Sequence, residues 1–308
     1  MRIYQYILAG TILFATSCND FFDQTISIDQ PEYEKQLVIH SYLSNRDSSI
    51  EITLSRNHGI LEPIKENDWY IENGTIELYK NGELSYTLNP HPQSASFYST
   101  QLAPDFFEMG SEYTLRASHA DFPTMEAKQV FPAPVILDSV RLREDARLIN
   151  GERYASADVY FHDNPDERNF YQIQLEEITP LLNPIYDPNG NFIGFDTIGE
   201  NRYFIYPDDS EDPNANLGML RSIIVSDELF NGEAYKMTFL FYYYGFDPAR
   251  YRVHVSAITE DFYLYSRTAY QKYDVDGIPL VEPVTVHGNF DAGIGIFGLL
   301  NTTVKDLE

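Results

Sequence analysis

Gly293-Ile294-Gly295-Ile296-Phe297-Gly298 matches, letter for letter, the glycine pattern that cradles a dinucleotide pyrophosphate. That chemistry needs a strand, a tight turn and a helix N-terminus presenting backbone N–H groups, then an acidic residue about 20 positions on. Only Leu299–Glu308 follow, too few for a helix and a strand. The segment is therefore expected to be a glycine-rich final strand with close backbone approach or a bulge. The seven histidines (His40, His58, His91, His119, His162, His254 and His287) stand singly, without HExxH or a pair at helical ligand spacing, so no zinc site is expected. No GxSxG elbow is present. The 47 acidic residues are too many to single out a glycosidase pair. Asp187-Pro188-Asn189-Gly190-Asn191 alternates oxygen donors as calcium loops do, but its glycine comes two places early and the bidentate glutamate is missing. A turn is expected there. The sequence assigns no catalytic residue, no metal and no cofactor, and the chain is read as a non-enzyme.

The remaining reactive group is one thiol, Cys18. It follows a basic start at Arg2 and an apolar run, Ile7–Ala15, too short for a bilayer, which needs about 20 such residues. The run reads as a cleaved targeting segment, residues 1–17. Ala15-Thr16-Ser17 directly before Cys18 resembles the bacterial lipobox, in which the thiol becomes thioether-linked to diacylglycerol and starts the mature chain. Ala15 stands where that pattern prefers leucine. Cys18 is the expected lipidation site and the membrane anchor.

Cleavage before Cys18 removes Arg2 and no acid, leaving a mature chain one unit more negative than the −26 of all 308 residues. Such a balance opposes binding to nucleic acid phosphates and to an anionic leaflet. With a single cysteine no internal disulfide forms, so stability must come from core burial, for which the length is ample. The 24 tyrosines and 20 phenylalanines suit sheets and recognition surfaces.

These residues must be positioned by strands. Residues 18–34 read as an acidic tether. Gln36–Leu43, Ser49–Ser55 and Glu112–Ala117 carry strand patterns, and Thr75–Leu88 is a hairpin turning at Asn81-Gly82, which supplies the positive φ angles of a type I′ turn. Phe131-Pro132-Ala133-Pro134 interrupts the pattern. Val135–Arg143, Ala155–His162, Phe170–Ile178, Tyr203–Tyr206, Arg221–Ser226, Tyr235–Tyr244 and Tyr251–Thr259 resume it, with acidic loops at Asp187–Asn191 and Asp208–Pro213. Phe239–Tyr244 is expected to be a buried strand with a tyrosine-rich end. Glu260–Tyr273 lacks Pro and Gly and is the one expected helix, with Phe262, Tyr265 and Ala269 on one face. The fold class is all-β: an N-terminal Ig-like sandwich over 35–133, then a second antiparallel domain over 134–308, sandwich or barrel-like, with one short helix.

Several segments in order, Pro31–Ser41, the Asn81-Gly82 hairpin, Phe131–Val140, Val159–Asp163, Asn169–Tyr171, Glu282–Asn289 and Gly293–Gly298, resemble the DUF4249 lipoproteins of Bacteroidota. The resemblance implies an outer-membrane lipoprotein, often encoded beside TonB-dependent transporters, and supplies no catalytic residue. In that phylum, acidic residues just after the lipidated cysteine resemble a surface-export signal, and Asn19, Asp20, Phe21, Phe22 and Asp23 fit it. Asp138-Ser139-Val140 and Asp196-Thr197-Ile198 resemble O-glycan acceptors of the same phylum. The expectation is a surface-exposed, lipid-anchored, non-catalytic accessory or binding subunit beside a transporter barrel. The alternatives are a structural component of an envelope assembly without a small ligand and, last, a surface hydrolase.

Overall fold

The computed structural model describes residues 33–307 apart from 60–61, 64, 66–67, 92–93, 208, 211, 213–214, 243–248 and 279–280. Cys18 and Asn19 to Asp23 lie outside the described residues, as do Tyr243 and Tyr244. The chain groups into a small unit, 1–34 with 58–64, in which Tyr33 donates to Glu62, and a large unit, 35–57 with 65–308.

The architecture is nearly all-β, in mostly antiparallel sheets with one α-helix among the described residues. The first half supplies β1 (Leu37–Ser44), β2 (Ser49–Thr53), β3 (Ser55–Arg56), β4 (Thr75–Lys80), β5 (Glu83–His91), β6 (Ser94–Gln101), β7 (Glu112–His119) and β8 (Phe122–Val130). The second half supplies β9 (Ile136–Ile149), β10 (Glu152–His162), β11 (Phe170–Tyr186), β12 (Phe192–Ile205), β13 (Asp209–Ser210), β14 (Asn216–Gly218), β15 (Ser222–Ser226), β16 (Ala234–Tyr242), β17 (Arg250–Ile258), helix α1 (Glu260–Val275) and β18 (Ile294–Asp306). Among the described residues, no helix is long and apolar enough to cross a membrane.

Three sheets form. One runs β2-β6-β5-β4-β7-β8 and one β13-β16-β10-β9. The third runs β14-β15-β11-β17-β18-β1-β3, with β12 beside the far half of β11. Its β1–β18 pair is parallel, so the last strand closes onto the first across the whole sequence. The segment 131–134 joins β8 to β9, yet β1 belongs by hydrogen bonding to the sheet of the second half.

Alternation then decides which face is dry. On one face of the third sheet, Tyr171, Ile173, Val253 and Val255 meet Ala157, Phe161, Met237 and Phe241 of the β10–β16 sheet. Beside them Leu37, Ile39, Phe297 and Leu299 meet Ile52, Leu78, Tyr98 and Leu115 of the six-stranded sheet. On the opposite face, α1 lays Phe262 and Tyr263 over Ile224, Ile258, Ile296 and Leu300. The face expected from the sequence forms: Phe262 is buried and stacks on Tyr265 (6.4 Å between ring centroids), Tyr265 packs against the same cluster and lines a surface cleft with Ala269, and Tyr263 and Ser266 are buried as well. The missing Cβ of Gly218 leaves room for the Ser266 hydroxyl, 2.8 Å from where that Cβ would stand.

The glycine-rich segment is β18, as its sequence implies. Gly295 has φ +130°, and a Cβ there would stand 1.7 Å from the Ile39 carbonyl oxygen, while one on Gly298 would stand 2.7 Å from Phe262 Cβ. The glycines let β1 and α1 close on one strand from two directions. At the other turn read from sequence, Asn81 and Gly82 have φ 51° and 82°, the type I′ signature.

Candidate functional site

A groove of about 580 Å³ opens on the α1 face of the third sheet. The alternation that sends Tyr171 and Ile173 into the core sends Gln172, Gln174 and Glu176 of β11 to this face, with His254 and Ser256 of β17, Thr302 of β18 and Tyr42 and Ser44 of β1. Its floor is a lateral hydrogen-bond row. Ser256 Oγ and Ser44 Oγ lie 2.8 and 3.0 Å from Thr302 Oγ1. His254 Nε2 lies 3.1 Å from Glu176 Oε2. Burial pushes the His254 pKa below its ordinary value against the opposing pull of Glu176.

One rim is the turn between β14 and β15, where Leu220 and Arg221 both take left-handed φ, 63° and 56°. Consecutive non-glycine residues in that region are costly and persist only when surrounding contacts over-determine them. Here Gln174 Nε2 donates to Leu220 O (2.8 Å), Ser266 Oγ accepts from Met219 N (2.8 Å) and Ser222 Oγ donates to Met219 O (2.6 Å). Arg221 donates to Phe204 O (2.7 Å) and stacks over Tyr206, with its guanidinium carbon 4.3 Å from the ring centroid. Gln172 is 1% exposed. Its Nε2 donates to Ser222 Oγ (3.1 Å), but its Oε1 has no partner. An orphaned buried acceptor costs about 1–3 kcal/mol. Arg46, Arg221 and Asp47 place charges of both signs at the mouth, and Tyr42 and Phe204 add ring faces. The arrangement suits a polar ligand.

A second cleft, of about 590 Å³, lies between α1 and the loop before β18, with His40, Lys272, Asp276 and His287 on its walls. Asp261 Oδ1 lies 2.7 Å from His287 Nε2, and its Oδ2 accepts from Gln129 (2.6 Å) and Asn289 (3.3 Å). Thr268 Oγ1 accepts from His287 N (2.9 Å) and donates to Leu264 O (2.7 Å). Asn289 clasps Phe297 at both N and O. These bonds fasten Glu282–Asn289, one of the segments that carried the resemblance, to α1 and β18. No described hydroxyl bonds the other imidazole nitrogen of His287.

Asp187–Asn191 is a turn, as its spacing implies. Asp187 Oδ1 accepts from Asn189 N and Asn191 N (2.8 Å each) and Oδ2 from Asn191 Nδ2 (3.0 Å), and these bonds hold its carboxyl below the usual range. Among the described residues, no three His, Cys, Asp or Glu side chains gather to hold a metal ion. Ser139 is half-buried in β9 and Thr197 is exposed on β12. In β16, Leu240 and Phe241 are buried and Tyr242 is half-buried against Tyr154, with ring centroids 5.7 Å apart.

Sequence reasoning assigned nothing to the groove. Its signal was present as polar residues at alternate positions of two apolar strands, a pattern that reads equally as an ordinary solvent face.

No curated protein sequence matches the chain. Among solved structures it is similar to a mutant Salmonella alpha-2-macroglobulin at 11% identity and a TM-score of 0.24, over 94% of this chain and 15% of that one. It is also similar to a structure described as complete manganese lipoxygenase of Gaeumannomyces graminis with partial zonadhesin of Komagataella pastoris, at 10% identity and a TM-score of 0.18, over 88% and 95%. Likenesses at these TM-scores carry no argument about fold or role. Residues 23–306 match the model of the family described as a domain of unknown function, DUF4249, and the chain belongs to that family.

Proposed function

We propose that the protein is a non-catalytic binding subunit, held by a lipid on Cys18 at the outer membrane and facing outward, that presents a polar ligand to a neighbouring TonB-dependent transporter. The observation that supports binding is the groove, lined by Gln172, Gln174, His254 and Thr302 with Arg46, Arg221 and Asp47 at its mouth and the Tyr42 and Phe204 rings beside them. Support for the anchor and the surface signal comes from the sequence at 15–23, and for the transporter from the family resemblance. Anchoring would raise the effective concentration of the groove at a co-anchored partner.

The test is affinity capture of the native lipoprotein from outer membranes, with a thermal-shift panel of neutral and carboxylated oligosaccharides and dipeptides. A co-purifying barrel and a shift abolished by Arg46→Ala are expected. Recovery of monomer alone, with no probe shifting the protein, would sink the reading and leave the structural-component alternative. Cys18→Ala should release the chain from the membrane fraction.

The cleft beside α1 gives the hydrolase reading one specific observation, the Asp261–His287 pair. Its test is hydrolysis of aryl ester and glycoside probes. Activity lost in His287→Gln would favour it.

A further inference from the structure

We propose that residues 180–199, the far ends of β11 and β12, form a docking arm that seats an aromatic face in an apolar, basic-rimmed groove of another protein. Pairing of β11 with β17 ends at Ile178–Arg250, and beyond it β11 and β12 pair only with each other among the described residues. From Pro180 to Tyr186 the ribbon runs on for roughly 20 Å. A two-stranded ribbon without a core is marginal in water, and this one shows water its apolar side chains.

The register sorts those side chains. Leu182–Thr197, Pro184–Phe195 and Tyr186–Phe192 are cross-strand pairs on one face. Phe192 lies 4.9 Å from Phe195 and 6.1 Å from Tyr186, centroid to centroid. Two register shifts place Ile193 and Ile198 as extra residues on β12. Tyr186, Phe192, Ile193, Phe195 and Ile198 are 53–63% exposed. On the other face Ile185 and Leu181 sit opposite Gly194 and Gly199, and Asn183 opposite Asp196. The aromatic rings therefore gather on one face, Leu181 and Ile185 add apolar surface on the other at 40% and 39% exposure, and the patch lies beyond the stretch of β11 that pairs with β17, the mark of an interaction site.

Three features select the occupant. Pro180 and Pro184 remove backbone donors from β11 and the bulges twist the ribbon, so addition of another strand is blocked and contact is through side chains. The tip Asp187–Asn191 is polar, with an ionised carboxylate, and the ribbon edges are unpaired, so it cannot lead into a bilayer core. A second copy would bring another net charge of −26. The only charges in 180–199 are Asp187 and Asp196, which a basic rim complements. This arm is independent of the ligand groove and of the lipid, so its failure and theirs are distinguishable.

The experiment places a photo-crosslinking phenylalanine at 195 in the full chain in its native cells, with a control at Leu148, which is 70% exposed on the β9–β10 hairpin. One protein adduct from 195 and none from 148 is expected, with the cross-linked partner peptide apolar and flanked by Lys or Arg. Phe192→Asp should cut the adduct at least about tenfold with an unchanged melting curve. If that variant unfolds, Phe195→Ser with the crosslinker at 192 gives the same reading. An adduct of two copies of this chain, lipid adducts only, an acidic partner peptide or no adduct would overturn the proposal.

Discussion

Asp158 stands in β10 at 5% exposure, accepting from Thr238 Oγ1 at 2.7 Å and facing Arg143 (3.1 Å) and Lys236 (3.2 Å). Burial works to raise its pKa. The Thr238 and Lys236 hydrogen bonds and the Arg143 charge outweigh burial and hold the carboxyl below its ordinary value. A carboxyl depressed in the fold contributes stability above its unfolded value and loses it as pH falls through the folded one. Asp158→Asn should therefore cost about 1.5–3 kcal/mol at neutral pH and flatten the acid-induced decline below about pH 4. Urea midpoints measured on both sides of that pH check it, and equal acid slopes in both proteins would contradict it. No sequence signal marks Asp158, because two of its three partners, Thr238 and Lys236, come from β16, Thr238 lying 80 residues on.

At the scale of elements, two glycine positions separate what a turn needs from what packing needs. Gly82 has φ +82° with open space where a Cβ would go, so Gly82→Ala should cost only the left-handed backbone, about 1–2 kcal/mol. Gly295→Ala meets the Ile39 carbonyl as well and should cost about 3 kcal/mol or more, detaching β18 from β1. Chemical denaturation orders the two, and similar costs would refute the packing role given to β18. The turn was legible in Asn81-Gly82 because its conformation is local. The strands β11 and β12 were legible only in part: Pro180, Pro184, Pro188 and three glycines between 190 and 199 interrupt the alternation, so Phe170–Ile178 and Tyr203–Tyr206 were expected as short strands. The ladder continues because two-stranded pairing tolerates proline on an unpaired edge. The helix was legible in extent and in the face that Phe262 shares with Tyr265; the burial of Ser266 was not, since it meets Gly218 only after folding.

For the whole molecule, 47 acidic against 21 basic residues set the electrostatic balance. Self-repulsion opposes compactness, and raising ionic strength from about 0.01 to 0.15 M shortens the screening length from about 30 to 8 Å. The melting temperature should rise by about 2–4 °C, near 1 kcal/mol for a chain of this size. A scan across sodium chloride measures it, and a fall would mean that specific ion pairs outweigh the net charge.

By itself the sequence determined the all-β class, the helix that follows β17 and the hairpin turn at Asn81-Gly82. Each depends on short-range rules: residue alternation or local φ preference. The tertiary structure alone decided that β18 closes onto β1 in parallel, that Gln172 is buried without a donor, and that the far end of β11 and β12 stands free with its rings exposed. Those depend on which strands meet, and partners hundreds of residues apart leave no mark in either segment taken alone.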